Sequence, residues 1–214
     1  MKTKAKKEAH KKAMKKLYIK NRDKRLLWQR NYKRTKKNKD YNCPLKNKIR
    51  NQIIDLINNY QIKTILTLES RKFLFSKLLP SKDIYVYENN LSVYKDMLKN
   101  KPTNVSLFFN NISDFALTNK QVDFIYLDLC SGLRIEKPTL YHLKEKIQKS
   151  KLFAISLCLR DQHKNQIGNI DCYLINQIQT ITEINWKLIY GETYRDGTPM
   201  ITLLFENPKG GEKE

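Results

Sequence analysis

The stretch Val122-Asp123-Phe124-Ile125-Tyr126-Leu127-Asp128 (residues 122–128) decides the fold class, because it is the clearest β-strand of the sequence. β-Branched and aromatic residues favour strands, and a short apolar run of this kind is typical of a buried sheet. On both sides of it, other apolar runs alternate with segments whose apolar residues have helical spacing. Further strands are predicted at 64–68, 84–87, 105–109 and 152–159, and helices at 45–60, 71–79, 91–99, 137–149 and 171–182.

This alternation predicts an α/β fold with a doubly wound, mostly parallel sheet that helices cover on both faces. Two last strands, at 186–190 and 199–205, flank a turn at Asp196-Gly197-Thr198 and predict a terminal antiparallel hairpin. We therefore expect one body over residues 42–206 and a flexible polar tail over 207–214.

The positive charge is concentrated at the N-terminus. Of the 42 Lys and Arg residues in this chain of 214, 18 lie within residues 1–41, together with only three acidic residues. No Pro or Gly interrupts residues 5–37, so we expect a basic arm, helical or partly disordered, that binds DNA or RNA. A solvated tail, or a tail that helps localisation, is the alternative. The residues expected to contact nucleic acid are Lys15, Lys16, Arg22, Arg25, Trp28, Arg30 and Arg34.

Several classes of protein are excluded by composition. No stretch approaches 18 apolar residues, so we expect neither a membrane span nor a secretory signal. The four cysteines form no Cys-x-x-Cys pair and the three histidines share no ligand-like spacing, which argues against a metal site and against disulfides. An intracellular, reducing compartment (cytoplasm or nucleus) follows as the expectation.

Polar residues follow most of the predicted strands. In a doubly wound sheet, ligands bind beyond the carboxyl ends of the strands, where the strand order reverses. Because these ends share one edge, the polar residues there are candidate binding residues. They are Glu69-Ser70, Glu88, Asn110-Asn111, Asp128 and Arg160-Asp161.

Five βα steps followed by a hairpin resemble the Rossmann-like (class I) S-adenosylmethionine-dependent methyltransferases, over about residues 45–206. The resemblance implies that S-adenosylmethionine is the cofactor and that Glu88, which closes the second strand, accepts hydrogen bonds from the ribose hydroxyls. It implies that the loop after Asp128 is catalytic. The remaining cofactor-binding residues that it implies are Glu69, Ser70, Asn89, Asn111, Ile112 and Asp128.

The resemblance has two departures. The family's glycine-rich loop after the first strand is absent, since residues 68–73 read Leu-Glu-Ser-Arg-Lys-Phe, and glycine is what lets a backbone approach a cofactor closely. Asn111 stands where the family has an acidic residue. A catalytically inactive relative is therefore the second hypothesis.

The loop Asp128-Leu129-Cys130-Ser131-Gly132 is weakly similar to the Asp-x-Pro-Cys-Ser-Gly loop of the RNA 5-methylcytosine methyltransferases. Cys158, at the end of the fifth strand, matches the position of their second cysteine. The similarity implies that Cys158 attacks the base, that Cys130 assists product release and that Asp128 hydrogen-bonds the ring. The alternative is that both cysteines only pack as small apolar residues.

These interpretations combine into one leading function, a nucleic-acid methyltransferase whose arm holds the polyanion. Arg160 is a candidate for clamping a substrate phosphate, with a surface pair to Asp161 as the alternative. The competing function is an inactive, methyltransferase-like nucleic-acid-binding subunit that works beside a protein partner. No Gly-x-x-x-x-Gly-Lys-Ser/Thr phosphate loop occurs, which argues against a nucleotide-hydrolysing protein.

Overall fold

A computed structural model describes residues 44–129, 131–159, 170–195 and 197–209. The expectations for the arm, for Cys130 and for Arg160 therefore lie outside the described residues. The helices are α1 (Pro44–Asn59), α2 (Leu91–Asn100), α3 (Leu133–Gln148) and α4 (Ile170–Thr182). The strands are β1 (Thr64–Thr67), β2 (Asp83–Tyr87), β3 (Val105–Phe108), β4 (Phe124–Asp128), β5 (Leu152–Cys158), β6 (Lys187–Arg195) and β7 (Pro199–Glu206).

The seven strands form one sheet in the order β3-β2-β1-β4-β5-β7-β6. The first five strands are parallel, whereas β7 runs antiparallel to both β5 and β6. The predicted α/β class, parallel sheet and terminal hairpin are confirmed. Because the chain moves outward from β1 to β3 and then returns to β4 on the other side of β1, the strand order reverses between β1 and β4.

Each face of the sheet buries a separate apolar cluster. On one face, α3, α4 and the short 3-10 helix Ile112–Leu117 pack over residues such as Ile125, Leu127 and Phe153. On the other face, α1 and Met97 of α2 pack over residues such as Phe124 and Ile65. The strand β5 is buried along its whole length, as its continuous apolar sequence predicts.

The predicted helix over 71–79 is wrong. This segment consists of turns and a single 3-10 helix, Ser76–Leu78. Phe73 has a left-handed backbone conformation, with φ of 51°. Phe73, Phe75 and Leu79 are all buried in the cluster beneath α1. A helix would point residues 73 and 75 in different directions, so burial of both overrides the local helical preference.

Three boundaries also differ from the sequence expectation. Helix α3 begins at Leu133, with Gly132 at its N-cap, so Pro138 lies inside the helix and not in its first turn. Strand β6 continues past Tyr190 to Arg195, because it pairs along the whole of β7. Asn207 belongs to the body and not to the tail, since its side-chain amide donates to the carbonyls of Gln148 and Ser150.

Candidate active site

Three carboxylates lie at the same level, at the carboxyl ends of β1, β2 and β4. Thr67 of β1 pairs with Val86 of β2 and with Tyr126 of β4. Glu69, Glu88 and Asp128 each come two residues after these partners, on the carboxyl edge of the sheet. They therefore lie at one edge of the sheet, on three neighbouring strands that include β1 and β4, between which the strand order reverses.

Asp128 uses its two carboxylate oxygens differently. Oδ2 lies 2.8 Å from Nζ of Lys46, in the first turn of α1, and the two side chains are only 21% and 16% exposed. Oδ1 is buried and has no hydrogen-bond partner among the residues that the structure describes. A buried carboxylate oxygen without a donor is costly, so a group that donated a hydrogen bond to this atom would stabilise it.

A cluster of buried hydroxyl groups lies on the α1 face of the sheet, on β4 and the two strands beyond it. The Ser156 hydroxyl lies 3.2 Å from the Tyr126 hydroxyl and 2.6 Å from the Thr202 hydroxyl. Burial, and then the negative charge of Asp128, raise the pKa of Tyr126 and that of Tyr194 above their ordinary values. Both tyrosines are therefore neutral at pH 7 and can donate hydrogen bonds beside the carboxylate.

Glu69 is held by the loop that follows β1. Its Oε1 accepts hydrogen bonds from the Ser76 backbone N–H (2.7 Å) and from the Ser76 hydroxyl (2.6 Å). Burial raises the pKa of Glu69, although the Ser76 hydrogen bonds and the nearby Arg50 charge oppose the shift. Ser70, the next residue, is exposed. The structure thus gives Glu69 a role in shaping the loop, whereas its predicted contact with a cofactor stays a prediction.

Glu88 extends from β2 onto the rim in a partly exposed position. Its backbone N–H donates to the Phe108 carbonyl, which continues the β2–β3 pairing, and its Oε1 accepts from the Asn90 N–H at 2.6 Å. Asn90 in turn caps α2, because its side-chain oxygen accepts from the N–H groups of Ser92 and Val93. This chain of hydrogen bonds fixes the carboxylate, with Asn89 exposed next to it.

Asn111 and Ile112 lie beyond β3 at the same edge. The Asn111 side-chain oxygen accepts from the backbone N–H and the hydroxyl of Ser113, so it caps the 3-10 helix that starts at Ile112. Ile112 is buried and packs in the apolar cluster beneath that helix. Their predicted roles at the adenine stay predictions.

Cys158 is buried at the end of β5, and its Sγ lies 3.5 Å from the Thr198 hydroxyl. Its backbone N–H donates to the Ser131 carbonyl, which brings the loop after β4 beside the end of β5. The predicted roles of Cys158 as the attacking thiol and of Cys130 in product release stay predictions. No group of His, Cys, Asp and Glu residues with metal-binding geometry occurs in the described part of the chain.

Sequence reasoning missed Lys46 and the hydroxyl cluster of Tyr126, Ser156 and Thr202. Lys46 is one lysine among many near a predicted helix, and no local pattern marks it as a partner of a residue 82 positions later. Ser156 and Thr202 interrupt apolar strands, and that interruption was the available signal.

The comparisons with known proteins agree with the strand order. The N-methyltransferase NodS from Bradyrhizobium japonicum WM9 matches with a TM-score of 0.54 and 13% identity, over 77% of this chain and 97% of NodS. Its complex with S-adenosyl-L-homocysteine matches with a TM-score of 0.53 and 12% identity, over 77% and 88%. The chain has the class I methyltransferase fold. A Pyrococcus horikoshii protein, provisionally described as an RNA methyltransferase, matches at 0.51 and 13%, over 75% and 84%.

No protein-family model matches the chain, and no curated protein matches it significantly. At these identities the solved structures establish the fold alone. No helix in the described part of the chain has the length and apolar character needed to cross a membrane.

Proposed function

We propose that this protein is an S-adenosylmethionine-dependent methyltransferase that acts on nucleic acid, either RNA or DNA. The observation that carries the proposal is that Glu69, Glu88 and Asp128 lie at neighbouring strand ends at the reversal of strand order, with a buried Asp128 oxygen that has no donor among the described residues. This is the part of a doubly wound sheet where ligands bind.

The residues present suit an adenosyl cofactor. Glu88 has a rim carboxylate that is fixed through Asn90, and a carboxylate accepts hydrogen bonds from two neighbouring hydroxyls, such as those of ribose. Asp128 Oδ1 requires a donor, and the cofactor and the methyl acceptor both carry N–H or O–H groups. When bound, S-adenosylmethionine supplies an electrophilic methyl group, and the protein's task is to bind and align the acceptor.

The choice of nucleic acid as substrate rests on charge. Residues 1–41 carry 18 Lys and Arg against three acidic residues. A polyanion fits such a segment better than a small molecule does. The similar P. horikoshii protein, described as acting on RNA, supports the same class of substrate.

A second candidate, the inactive nucleic-acid-binding subunit, is favoured by the loop after β1. This loop has no glycine between Leu68 and Phe73 and is not followed by an α-helix. Instead, Glu69 bonds to Ser76, and the Phe75 ring packs edge-on against Tyr126 with 5.4 Å between the ring centroids. In this alternative the chain's own side chains occupy the room that a cofactor's methionine portion needs.

Calorimetric titration of the full chain with S-adenosyl-L-homocysteine separates the two candidates. We expect saturable binding, which Glu88→Ala weakens by at least about tenfold because the ribose loses a charged acceptor. Glu145→Ala, at an exposed carboxylate on α3, is the matched control and should bind normally. An absence of binding by the wild-type chain supports the inactive subunit, and normal binding by Glu88→Ala contradicts the assignment of Glu88.

The role of the arm is tested by the salt dependence of binding to a single-stranded oligonucleotide. Replacing Lys15, Lys16, Arg22 and Arg25 by Gln in the full chain should reduce the slope of log K against log salt by about 3, since each phosphate contact contributes roughly 0.7. Four exposed lysines of the body serve as the charge-matched control and should change the slope less. These are Lys77, Lys95, Lys149 and Lys209. Equal slopes for both variants contradict a specific role of the arm.

A further inference from the structure

The connection from β3 to β4 contains no α-helix. Because β4 lies beyond β2 and β1 in the sheet, this segment passes over the face of those two strands. Every residue between β3 and β4 is described, and the only helix they form is the 3-10 helix Ile112–Leu117. Leu117, at its end, is 86% exposed. A doubly wound sheet ordinarily has α-helices over both faces, so the described chain covers this end of the sheet only thinly.

Aromatic side chains of β2 and β3 lie on this thinly covered face. Phe108 is the cross-strand partner of Tyr87, and their ring centroids are 5.0 Å apart. The Tyr85 ring lies 6.5 Å from that of Phe108, with 30° between the two planes. Tyr87 is buried, whereas Tyr85 and Phe108 are partly exposed. Ser106, the cross-strand partner of Tyr85, is too small to cover a ring, so aromatic surface remains in contact with solvent.

A lysine ammonium group lies over this aromatic surface. Lys120 Nζ is 4.4 Å from the centroid of the Tyr85 ring and 5.9 Å from that of Phe108. Lys146 of α3 holds the segment that carries Lys120, since its Nζ donates to the carbonyls of Thr118 (2.6 Å) and Lys120 (2.7 Å). The Lys120 side chain itself is exposed. A positive charge beside flat rings is the combination that binds the phosphate and the base of a nucleotide.

We propose that Tyr85, Phe108 and Lys120 form a nucleotide-binding platform, where a base of single-stranded nucleic acid stacks on the Tyr85 ring and Lys120 pairs with the phosphate. This inference rests on the proposed function and deepens it, because it names a surface of the body that holds the substrate. A single strand is required, since the bases of a duplex are already stacked on one another. Stacking of a base stabilises more than an exposed cation–π contact does, so the ammonium group can leave the ring for the phosphate.

The position of the platform suits a nucleotide that flanks the target. Tyr85 precedes Glu88 by three residues on β2, which is about 10 Å along a strand. β2 begins with Asp83 and the 3-10 helix contains Asp114, so this face is not uniformly positive. We therefore expect one phosphate contact, at Lys120, and not a continuous track across the face.

Charge favours nucleic acid over a second copy of this chain as the occupant. The chain carries a formal net charge of +21, so two copies repel each other, whereas a polyanion is attracted. The platform also presents aromatic rings and a cation, and every nucleobase has a face that can stack on such rings.

Stacking is tested by the binding of the full chain to oligodeoxythymidine and to an abasic oligonucleotide of equal length. Tyr85→Leu should weaken binding of oligodeoxythymidine by at least about fivefold and leave the abasic strand unaffected, because only a base can stack. Tyr85→Phe keeps the ring and should bind both strands normally. Tyr141→Leu, which removes a 57% exposed aromatic residue of α3, is the matched control and should also bind normally. Equal affinities of Tyr85→Leu and wild type for oligodeoxythymidine overturn the inference, as does equal weakening for both strands.

The phosphate contact is tested by the salt dependence of the same binding. Lys120→Gln should weaken binding of both strands and reduce the slope of log K against log salt by about 0.7. Lys149→Gln, at an exposed lysine directly after α3, is the control and should keep the wild-type slope. A wild-type slope in Lys120→Gln contradicts the platform.

Titration with S-adenosyl-L-homocysteine distinguishes this inference from the proposed function. Tyr85→Leu and Lys120→Gln should both bind this compound with wild-type affinity. If the wild-type chain does not bind it, the proposed function fails, and the two oligonucleotide experiments still decide the platform. If Tyr85→Leu alone loses this binding, the substitution has disturbed the fold, and Lys120→Gln decides. A wild-type dimer in sedimentation that Tyr85→Leu converts to a monomer overturns the inference, because the face would then join two copies.

Discussion

Two aspartates at opposite ends of the same strand region have contrasting environments. Asp123, just before β4, has both oxygens engaged: Oδ2 accepts from the N–H groups of Lys63 (2.9 Å) and Thr64 (3.1 Å), and Oδ1 lies 3.2 Å from Nζ of Lys151. Asp128, at the other end, has Lys46 at one oxygen and no described donor at the other. Both Asp123 oxygens therefore have partners, whereas Asp128 has one buried oxygen without a donor among the described residues.

The hydrogen bonds of Asp123 lower the pKa of its carboxyl group. Burial alone would raise the pKa of Asp123, but hydrogen bonds from Lys63 and Thr64, together with Lys151, outweigh burial and lower it. The fold therefore stabilises the charged form of Asp123 and locks β1 to β4. Among the described residues, no donor reaches Asp128 Oδ1, so the desolvation cost of this oxygen is not offset by a hydrogen bond.

The largest effect is expected from Asp128→Asn. This substitution keeps the shape of the side chain but removes the charge and the proton acceptor, so we expect methyl transfer to fall by about 100- to 1000-fold. The free energy of unfolding, measured with urea, should fall less than in the corresponding Asp123 variant. A fully active Asp128→Asn protein would show that the unpartnered oxygen has no role in the reaction.

A smaller effect, on stability, is expected from Asp123→Ala. The N–H groups of Lys63 and Thr64 lose their charged acceptor, so the free energy of unfolding should fall by about 2 kcal/mol, with the methyl-transfer rate of the folded protein unchanged. Urea denaturation and activity are measured on the same sample. A loss of activity at full stability would reverse the roles of the two aspartates.

We also expect Asp123→Ala to change how the free energy of unfolding depends on acid pH. Because the folded-state pKa of Asp123 lies below its ordinary value of 3.8, its contribution to stability is present above that pH and is lost as the pH falls through the lower, folded-state pKa. The difference in unfolding free energy between the wild type and Asp123→Ala should therefore shrink below about pH 4. A difference that stays constant from pH 6 to pH 3 would contradict this assignment.

The sequence predicted the central sheet and the positions of Glu88 and Asp128 well. In a run such as 122–128, the apolar residues that favour a strand and the polar residue that ends it stand next to one another. The strand and its end can therefore be predicted from a few consecutive residues. The polar residue that ends a parallel strand must lie on the carboxyl edge, whatever the rest of the chain does. These parts of the candidate site follow from strand periodicity alone.

The loop after β1 and the partner of Asp128 were not predictable in this way. Residues 71–79 have helical composition, but Phe73 and Phe75 are buried together beneath α1, and only the assembled core imposes that arrangement. Lys46 reaches Asp128 because α1 lies across β4, which is a tertiary relation without a local signal. The sequence showed which strands end in carboxylates, and the packing of α1 determines which Asp128 oxygen pairs with Lys46.

The smallest effect is expected from Tyr126→Phe. This substitution removes one buried hydroxyl near Asp128 and tests whether that hydroxyl takes part in the reaction. The Tyr126 hydroxyl lies 3.2 Å from the Ser156 hydroxyl, which retains Thr202 as a second partner at 2.6 Å. Removing one of these two contacts should lower the free energy of unfolding by about 1 kcal/mol.

The Tyr126→Phe protein should keep the wild-type rate of methyl transfer, because the hydroxyl faces Ser156 and not Asp128 Oδ1, which has no described partner. Urea denaturation and single-turnover transfer measure the two quantities separately. A loss of rate near that of Asp128→Asn would extend the reactive cluster to the buried hydroxyls. The contrast between Asp123, whose oxygens both have partners, and Asp128, which has one oxygen without a described donor, would then not identify the reacting group.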